Sequence, residues 1–429
     1  MRPIDVTAPP SFAAKARWVI QSFLDASAAD ASAEPVRYPS SALAGSEAAV
    51  AWFAEAGGRP PASASDGLID FGDGVEDIVA SAFWHLSRWE EREGSPRDRH
   101  GRFTAAFSAA DPERPAVDAL LRRFQDATGL PPRSGFTVAL THDIDTPWRW
   151  SGRAALRAAA AQGKAALRER RASDVLAEAA GLAAVPVHRL RGTDPNWTFE
   201  RMRKIERRHG GRSTHFLMAG HAHRLDGVDA AAYDRLRGRI VRVVAEGGDE
   251  VGLHPSYTTS DDPHRLAAEK HLLEGLTGGP VASVRFHFLR HDTHRTLPAL
   301  PRLGFRLDSS QGYPDRPGLR AGFSHPYRPF DLAADRPVDL IELPLAVMDA
   351  TLQDAHYLGL SPGAGLARAT AVLEQVARSG GAVAILWHNN RFSRTYGRGW
   401  DRCYDRLLGW ISDRGGRLCA AEDVLAERF

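Results

Sequence analysis

The chain contains 429 residues, more than a single domain usually holds, so we expect two domains. Hydrophobic residues make up 43% of it and charged residues 25%, values that are typical of a soluble globular protein and exclude a disordered or fibrous chain. The 55 basic residues nearly balance the 53 acidic ones and are scattered among them, which argues against nucleic-acid binding.

The start of the chain and its cysteines indicate a cytoplasmic protein. Prolines and polar residues interrupt any apolar core near the N-terminus, and no stretch approaches the roughly 18 apolar residues that span a bilayer. Cys403 and Cys419 lack the spacing of metal ligands. We expect two free thiols, as in a reducing compartment, with a single disulfide as the alternative. The oligomeric state is left open.

Residues 1–130 predict a small α+β domain of unknown function. Short apolar runs alternate there with polar turns, and one amphipathic helix is predicted over residues 76–92. Its apolar residues recur at helical spacing and should face the core: Ile78, Phe83, Leu86 and Trp89. The turn-rich segment 131–135 ends this region, so we place the boundary of a larger domain, residues 136–429, just after it.

From residue 136 onward, strand-like runs alternate with helical ones. This alternation predicts parallel βαβ units of an α/β protein. Seven or eight such units suit a distorted (β/α) barrel of about seven strands, in which the chemistry gathers at the carboxyl ends of the strands. The predicted strands cover residues 136–142, 213–219, 249–254, 282–289, 304–310, 339–345, 382–388 and 416–423.

A helical insertion is predicted between about residues 150 and 198. This segment is rich in Ala, Arg and Glu, which are good helix formers. We expect it to pack on the outside of the barrel, and the alternative is a lid that covers a substrate.

Two acids end the first predicted barrel strand. Asp143 and Asp145 are two residues apart, and side chains at that spacing point to the same face of a strand. Two carboxylates in one small volume repel each other unless a cation or a proton lies between them. The pair therefore indicates a cation site or an acid–base site, with a loop acid or helix cap as the alternative reading.

Three more predicted strands carry a titratable residue, a histidine or an arginine, at or near their carboxyl ends. His254 and His388 each follow a short apolar strand, where a histidine suits a metal ligand or an acid–base group, although a structural histidine is the alternative. Arg285 and His287 should share a face of the strand 282–289 with Leu289. A buried Arg needs an anionic partner, and the Asp pair is available.

These residues resemble the polysaccharide deacetylases of carbohydrate esterase family 4, with their nodulation-type deacetylase homology domain. The likeness covers residues 136–429. The family motif Thr-Phe-Asp-Asp-Gly is similar to residues 141–145 (THDID), with one residue between the acids. Residues 248–254 (GDEVGLH) resemble the approach to the second motif, and residues 386–388 (LWH) resemble the last one. The chain is also similar to a bacterial subgroup with an uncharacterised N-terminal domain.

The resemblance implies a role for each matching residue. Asp143 would be the general base, His388 the general acid, and Asp145 and His254 metal ligands. Arg285 and Asp308 would hold Asp143 and His388 in their working ionisation states.

One position departs from the family pattern. The family's second histidine, four residues after the first, falls on Thr258. A catalytic zinc normally takes three protein ligands, so a replacement is needed. His287 is the candidate, because it stands at the proline position of the family's Arg-x-Pro-aromatic motif.

The implied function is that of a metal-dependent hydrolase. It would remove an N-acetyl or O-acetyl group from a carbohydrate or glycan precursor, with zinc as the first choice of divalent metal and cobalt or manganese as alternatives. Two other functions remain open. One is an amidohydrolase acting on a non-carbohydrate C–N bond, since a fold alone does not choose a substrate. The other is a non-catalytic sugar-binding or assembly protein with a degenerate metal site.

Overall fold

A computed structural model describes residues 2–28, 35–55, 62–63, 65–150, 172–221, 223–226 and 230–428 of the chain. Two small sheets and four helices lie in the described part of the N-terminal region. Strands β1 (Ile4–Val6) and β2 (Val36–Tyr38) pair in parallel, and β3 (Ala62–Ser63) and β4 (Ile69–Asp70) pair antiparallel. The helices are α1 (Pro10–Asp25), α2 (Glu47–Ala54), α3 (Ile78–Leu86) and α4 (Ala116–Thr128).

Helix α3 lies at the centre of this region and confirms the predicted amphipathic helix in its middle part. Asp77 caps the helix by accepting a hydrogen bond from the backbone N–H of Ala80, and all nine helical residues are buried. The helix ends at Leu86, earlier than predicted, because Arg88 adopts a left-handed conformation with φ of 54°. A short 3₁₀ turn, Trp89–Glu91, follows.

The apolar core of the N-terminal region also takes in residues from much later in the chain. Besides side chains from α1 to α4, it includes Ala321, Phe323, Tyr327 and Phe330. Phe330, for example, lies 5.0 Å from Trp18 between ring centroids. The N-terminal region and the remainder of the chain are therefore joined by shared packing.

One large sheet organises the rest of the chain. Its strands are β5 (Thr137–Ile144), β6 (Ser213–Met218), β7 (Glu250–His254), β8 (Ser283–Val284), β9 (Leu307–Asp308), β12 (Ile341–Glu342), β13 (Leu345–Met348), β14 (Ala382–Leu386) and β15 (Arg417–Cys419). A separate hairpin consists of β10 (Phe330–Asp331) and β11 (Arg336–Pro337). The pairings within the large sheet are all parallel, which confirms the predicted βαβ arrangement.

The sheet curls into a distorted (β/α) barrel, as predicted. Its order is β12-β9-β8-β7-β6-β5-β14-β13, with β15 paired beside β5. The two edge strands, β12 and β13, are separated in sequence only by Leu343 and Pro344. The N–H of Leu343 donates to Asp308, and the carbonyl of Pro344 accepts from Ala384, so the chain crosses from one edge of the sheet to the other within two residues.

Helices surround the sheet. They are α5 (Ala172–Arg191), α6 (Phe199–Arg208), α7 (Ala230–Glu246), α8 (Pro263–Thr277), α9 (Thr296–Ala299), α10 (Asp349–Gln353), α11 (Pro362–Ser379), α12 (Trp400–Asp413) and α13 (Ala421–Arg428). The main apolar core contains Val138 and Leu140 of β5, whereas Ala139 belongs to a second cluster on the other face of the sheet. None of the helices that the structure describes is both long and apolar enough to cross a bilayer.

The structure bears on three further expectations from the sequence. The predicted strand 282–289 is wrong beyond Val284, because residues His287–Leu289 form a 3₁₀ turn. Of the predicted helical insertion, residues 172–191 form α5, while residues 151–171 lie outside the described residues. Cys403 and Cys419 are both free and buried.

Candidate functional site

The carboxyl end of β5 carries the first two site residues. All eight residues of the strand are buried between β14 and β6. The carboxylate of Asp143 is 3.4 Å from the guanidinium of Arg285, measured from Oδ1 to Nη1. Arg285 is itself fully buried and donates to the backbone carbonyl and hydroxyl of Ser309 and to the hydroxyl of Thr141. Such a fixed cation keeps Asp143 in one orientation.

Asp145 lies next to two histidines that come from other parts of the barrel. Its Oδ1 is 3.2 Å from Nε2 of His254 at the end of β7, and its Oδ2 is 3.8 Å from Nε2 of His287. One ligand atom from each of the three residues lies within 4.8 Å of the other two. Among the described residues, this is the group of histidines, cysteines and acids arranged to hold a metal ion.

Hydrogen bonds on the far side of each ring determine which nitrogen faces Asp145. Nδ1 of His254 is 2.6 Å from the carbonyl oxygen of Arg285, which can only accept. Nδ1 of His287 is 3.3 Å from the carboxylate of Asp226. Both Nδ1 atoms therefore donate, and in the neutral rings Nε2 keeps its lone pair toward Asp145. This orientation by a carbonyl or carboxylate is usual for metal-binding histidines.

The group fits a divalent cation on two counts. Ligand atoms about 2.1 Å from a tetrahedral zinc lie about 3.4 Å from one another, close to the separations found here. In addition, Oδ1 of Asp145 and Nε2 of His254 are buried, and among the described residues neither has a hydrogen-bond partner beyond the 3.2 Å contact between them. Buried polar atoms are rarely left so. Two histidines and one carboxylate are a ligand set that catalytic zinc takes.

His287 reaches this group from a turn and not from a strand. Because β8 ends at Val284, the predicted shared strand face with Arg285 is wrong. Phe288 and Leu289 instead adopt left-handed conformations, with φ of 62° and 53°, which cost bulky residues roughly 1–3 kcal/mol each. Thr258, where the family's second histidine falls, does not line the cavity beside the group.

His388 also lies beside Asp145, with its Nε2 3.6 Å from Oδ2 of that carboxylate. Its Nδ1 is 2.6 Å from Oδ1 of Asp349, and its backbone N–H donates to Oδ2 of the same carboxylate. Burial by itself lowers the pKa of His388, but Asp349, Asp145 and Asp143 outweigh burial and raise this pKa to about 9. The ring is thus held as a protonated group beside Asp145.

The resemblance implies that Asp308 supports Arg285 or His388, and among the described residues it makes no bond to His388. Asp308 accepts hydrogen bonds from the backbone N–H and the hydroxyl of Ser310, and the partner of His388 is Asp349. The positions of the two acids explain this. Asp308 lies at the end of β9, whereas Asp349 directly follows β13. Strand β13 pairs with β14, and His388 lies just beyond the end of β14. Asp308 remains close enough to Arg285 to stabilise its charge.

A cavity of about 240 Å³ opens onto these side chains. It is lined by Arg102, Asp143, Asp145, His254, His287, Phe288, Leu289, Met348, Ala350, Asp354, Tyr357, His388, Asn390 and Arg391. Five of the sequence-predicted site residues thus meet at one cavity, while Arg285 and Asp308 lie behind it.

Comparison with known proteins finds one matching family. Residues 48–127 match a family of unknown function, DUF7033. No curated protein matches the chain.

Several solved structures resemble the chain. A polysaccharide deacetylase from Mycobacterium smegmatis, described as putative, is 18% identical with a TM-score of 0.45; the match covers 70% of this chain and 93% of that one. A probable polysaccharide deacetylase from Pseudomonas aeruginosa PAO1 is 13% identical, covering 68% and 90%, with a TM-score of 0.42. A carbohydrate esterase family 4 pseudoenzyme from Bacillus anthracis is 14% identical, covering 67% and 65%, with a TM-score of 0.32. Likenesses this distant say nothing about the reaction.

Sequence reasoning missed three residues that support the site. Asp349 directly follows β13, but the predicted strand 339–345 ends four residues earlier, so its place at a carboxyl end was not marked. Asp226 stands in a loop without strand or helix periodicity, and nothing in its neighbourhood marks it as a partner of His287. Arg102 belongs to the N-terminal region, which sequence reasoning assigned to a separate domain.

Proposed function

We propose that this protein is a metal-dependent hydrolase that removes an acetyl group from an N-acetylated carbohydrate. The observation that carries the proposal is that Asp143 and His388 both adjoin the group formed by Asp145, His254 and His287. Oδ2 of Asp143 is 3.7 Å from Nε2 of His254, and Nε2 of His388 is 3.6 Å from Oδ2 of Asp145. A base and an acid thus lie next to one candidate metal centre.

Asp145, His254 and His287 would hold the cation. A divalent metal supplies Lewis-acid chemistry there, because it polarises a carbonyl group and acidifies a water molecule. Zinc suits the mixed nitrogen and oxygen ligands, and cobalt and manganese are the alternatives.

Asp143 acts as the general base in this proposal. Arg285 occupies one side of its carboxylate, so the free oxygen, Oδ2, faces the site and accepts a proton from the attacking water. The fixed Arg285 also prevents Asp143 from turning away from the site.

His388 acts as the general acid. Asp349 holds its Nδ1, which leaves Nε2 to donate a proton to the departing amine nitrogen. A protonated leaving group is essential for amide cleavage, because an amide anion is a very poor leaving group. Acetate and a free amino sugar would be the products.

The size of the cavity supports a small reacting group. At about 240 Å³ it lies below the roughly 300–1,000 Å³ of typical ligand pockets, so an acetamido group and part of one sugar ring fill it. The rest of a longer glycan would lie outside.

Acetate release tests the proposal. The full-length chain, freed of metal and then loaded with zinc, should release acetate from N-acetylglucosamine oligomers, and chelator should abolish the release. A parallel panel of cyclic amides tests the non-carbohydrate alternative. Hydrolysis of a cyclic amide without acetate release would replace the proposal. Stoichiometric zinc without any turnover on either panel would favour a binding protein instead.

A further inference from the structure

The turn that carries His287 has an unusual backbone. After β8 ends at Val284, Phe288 and Leu289 both adopt positive φ, so the turn departs from the extended backbone of a strand. Within the barrel, the turn is closed by hydrogen bonds from Leu289 N–H to Phe286 and from Arg290 N–H to His287. These bonds leave the Phe288 carbonyl to another donor.

That donor comes from the N-terminal region. Nη1 of Arg102 lies 3.0 Å from the carbonyl oxygen of Phe288. The remaining edge of the guanidinium is fixed by Asp98, whose Oδ2 accepts from Nε at 2.9 Å and from Nη2 at 2.8 Å. Arg102 is only 5% exposed and lines the same cavity as His287. A buried, doubly paired guanidinium is a rigid donor.

Other contacts from the N-terminal region hold the segment that follows the turn. The carbonyl of His100 accepts from Nε of Arg290 at 3.1 Å. The carboxylate of Glu91, fully buried, accepts from the hydroxyl of Thr293 at 2.8 Å. Both of these N-terminal residues, like Arg102, lie within the 48–127 segment that matches the family of unknown function.

We propose that Arg102 is a positioning residue for His287, so that the N-terminal region completes the metal centre of the barrel. The inference rests on the proposed function in one respect, since it takes His287 as a metal ligand. Arg102 acts through the Phe288 carbonyl: by fixing the turn, it fixes the direction in which the neighbouring imidazole points. The N-terminal region is then a structural part of the active site and not an independent binding module.

Zinc affinity tests this directly. The full-length chain is stripped with chelator, and zinc is titrated in competition with a chromogenic chelator. Arg102→Ala should weaken zinc binding by about 10–100-fold, the usual effect of removing a group that supports a ligand. Arg102→Lys, which keeps a cationic donor near Phe288, should recover part of the loss. Arg99→Ala is the matched control, because Arg99 is exposed on the same loop and, within the described part of the chain, its side chain donates to His100 and not to the turn.

Thermal unfolding separates positioning from a general structural role. A positioning role predicts that the rise in Tm on adding zinc is smaller in Arg102→Ala than in the wild type. If Arg102→Ala lowers the Tm of the metal-free and zinc-loaded forms equally, with unchanged zinc affinity, the proposal is overturned.

A second variant keeps the proposal testable if Arg102→Ala does not fold. Asp98→Asn removes the acceptor Oδ2 that fixes the guanidinium while keeping the oxygen that accepts from the backbone. It should weaken zinc binding at least threefold, and an unchanged affinity overturns the proposal. Zinc binding by the wild type without deacetylation would count against the proposed function alone, whereas failure of the wild type to bind zinc would overturn both.

Discussion

Nδ1 of His388 and Oδ1 of Asp349 are 2.6 Å apart, and both groups are held in place by further bonds of the same carboxylate to the His388 backbone and to Arg391. This pairing fixes one ring nitrogen and leaves the other to face Asp145. It also provides the negative charge that keeps the ring protonated despite its burial.

His388→Ala should lower kcat for acetamide cleavage by roughly 10²–10⁴-fold, the usual contribution of a general acid. A phenolate leaves without a proton, so cleavage of 4-nitrophenyl acetate by the same variant should fall much less. Asp349→Asn should also slow acetamide cleavage more than cleavage of 4-nitrophenyl acetate, but by a smaller factor than His388→Ala. Equal losses on both substrates would show that His388 does not act as the acid.

Asp143→Asn should keep its zinc and lose turnover, because the amide cannot accept the proton of the attacking water. His254→Ala should lose both, since it removes a proposed ligand whose Nε2 is 3.2 Å from Asp145. Metal content by atomic absorption, measured beside acetate release, checks both. Full zinc retention by His254→Ala contradicts the ligand assignment.

His287→Ala should weaken zinc binding by more than the roughly 10–100-fold that is typical of residues behind the ligands. Thr258→Ala is the matched control, because Thr258 does not line the cavity and its replacement should leave the affinity within twofold. Competition titration with a chelator measures both constants. If Thr258→Ala weakened zinc binding more than His287→Ala did, Thr258 would replace His287 as the proposed third ligand.

Acid should destabilise the N-terminal region through His85. Burial lowers the pKa of this residue to about 4, and its Nε2 is bonded to the carbonyl of Gly67. The folded form therefore keeps His85 neutral while the unfolded chain binds a proton below pH 6.5. A depressed folded-state pKa contributes stability above pH 6.5 that is lost as the pH falls toward 4.

The predicted loss from His85 is about 2 kcal/mol in the free energy of unfolding between pH 6.5 and 5. Urea denaturation at these pH values measures it. The His85→Gln variant has no titrating ring at this position. Its free energy of unfolding should therefore fall by about 2 kcal/mol less than that of the wild type between pH 6.5 and 5. Identical pH dependence in the two proteins contradicts the prediction.

Much of the barrel and part of the site could be predicted from the sequence. Apolar runs that end in polar residues marked the strands β5, β7 and β14, and parallel strands bring such ends to one rim. Asp143, Asp145, His254 and His388 were therefore expected to converge, and the structure places them at one cavity.

Only the tertiary structure decided the rest. The partners Asp226 and Asp349 were not predicted because side-chain pairing between distant segments depends on strand register and loop paths, which no local periodicity encodes. The position of His287 depends on two left-handed residues, Phe288 and Leu289, of types that rarely adopt that conformation, so their sequence indicated a continuing strand. The contact of Arg102 with that turn joins residues 186 positions apart, and it exists because the N-terminal region packs against the rim of the barrel.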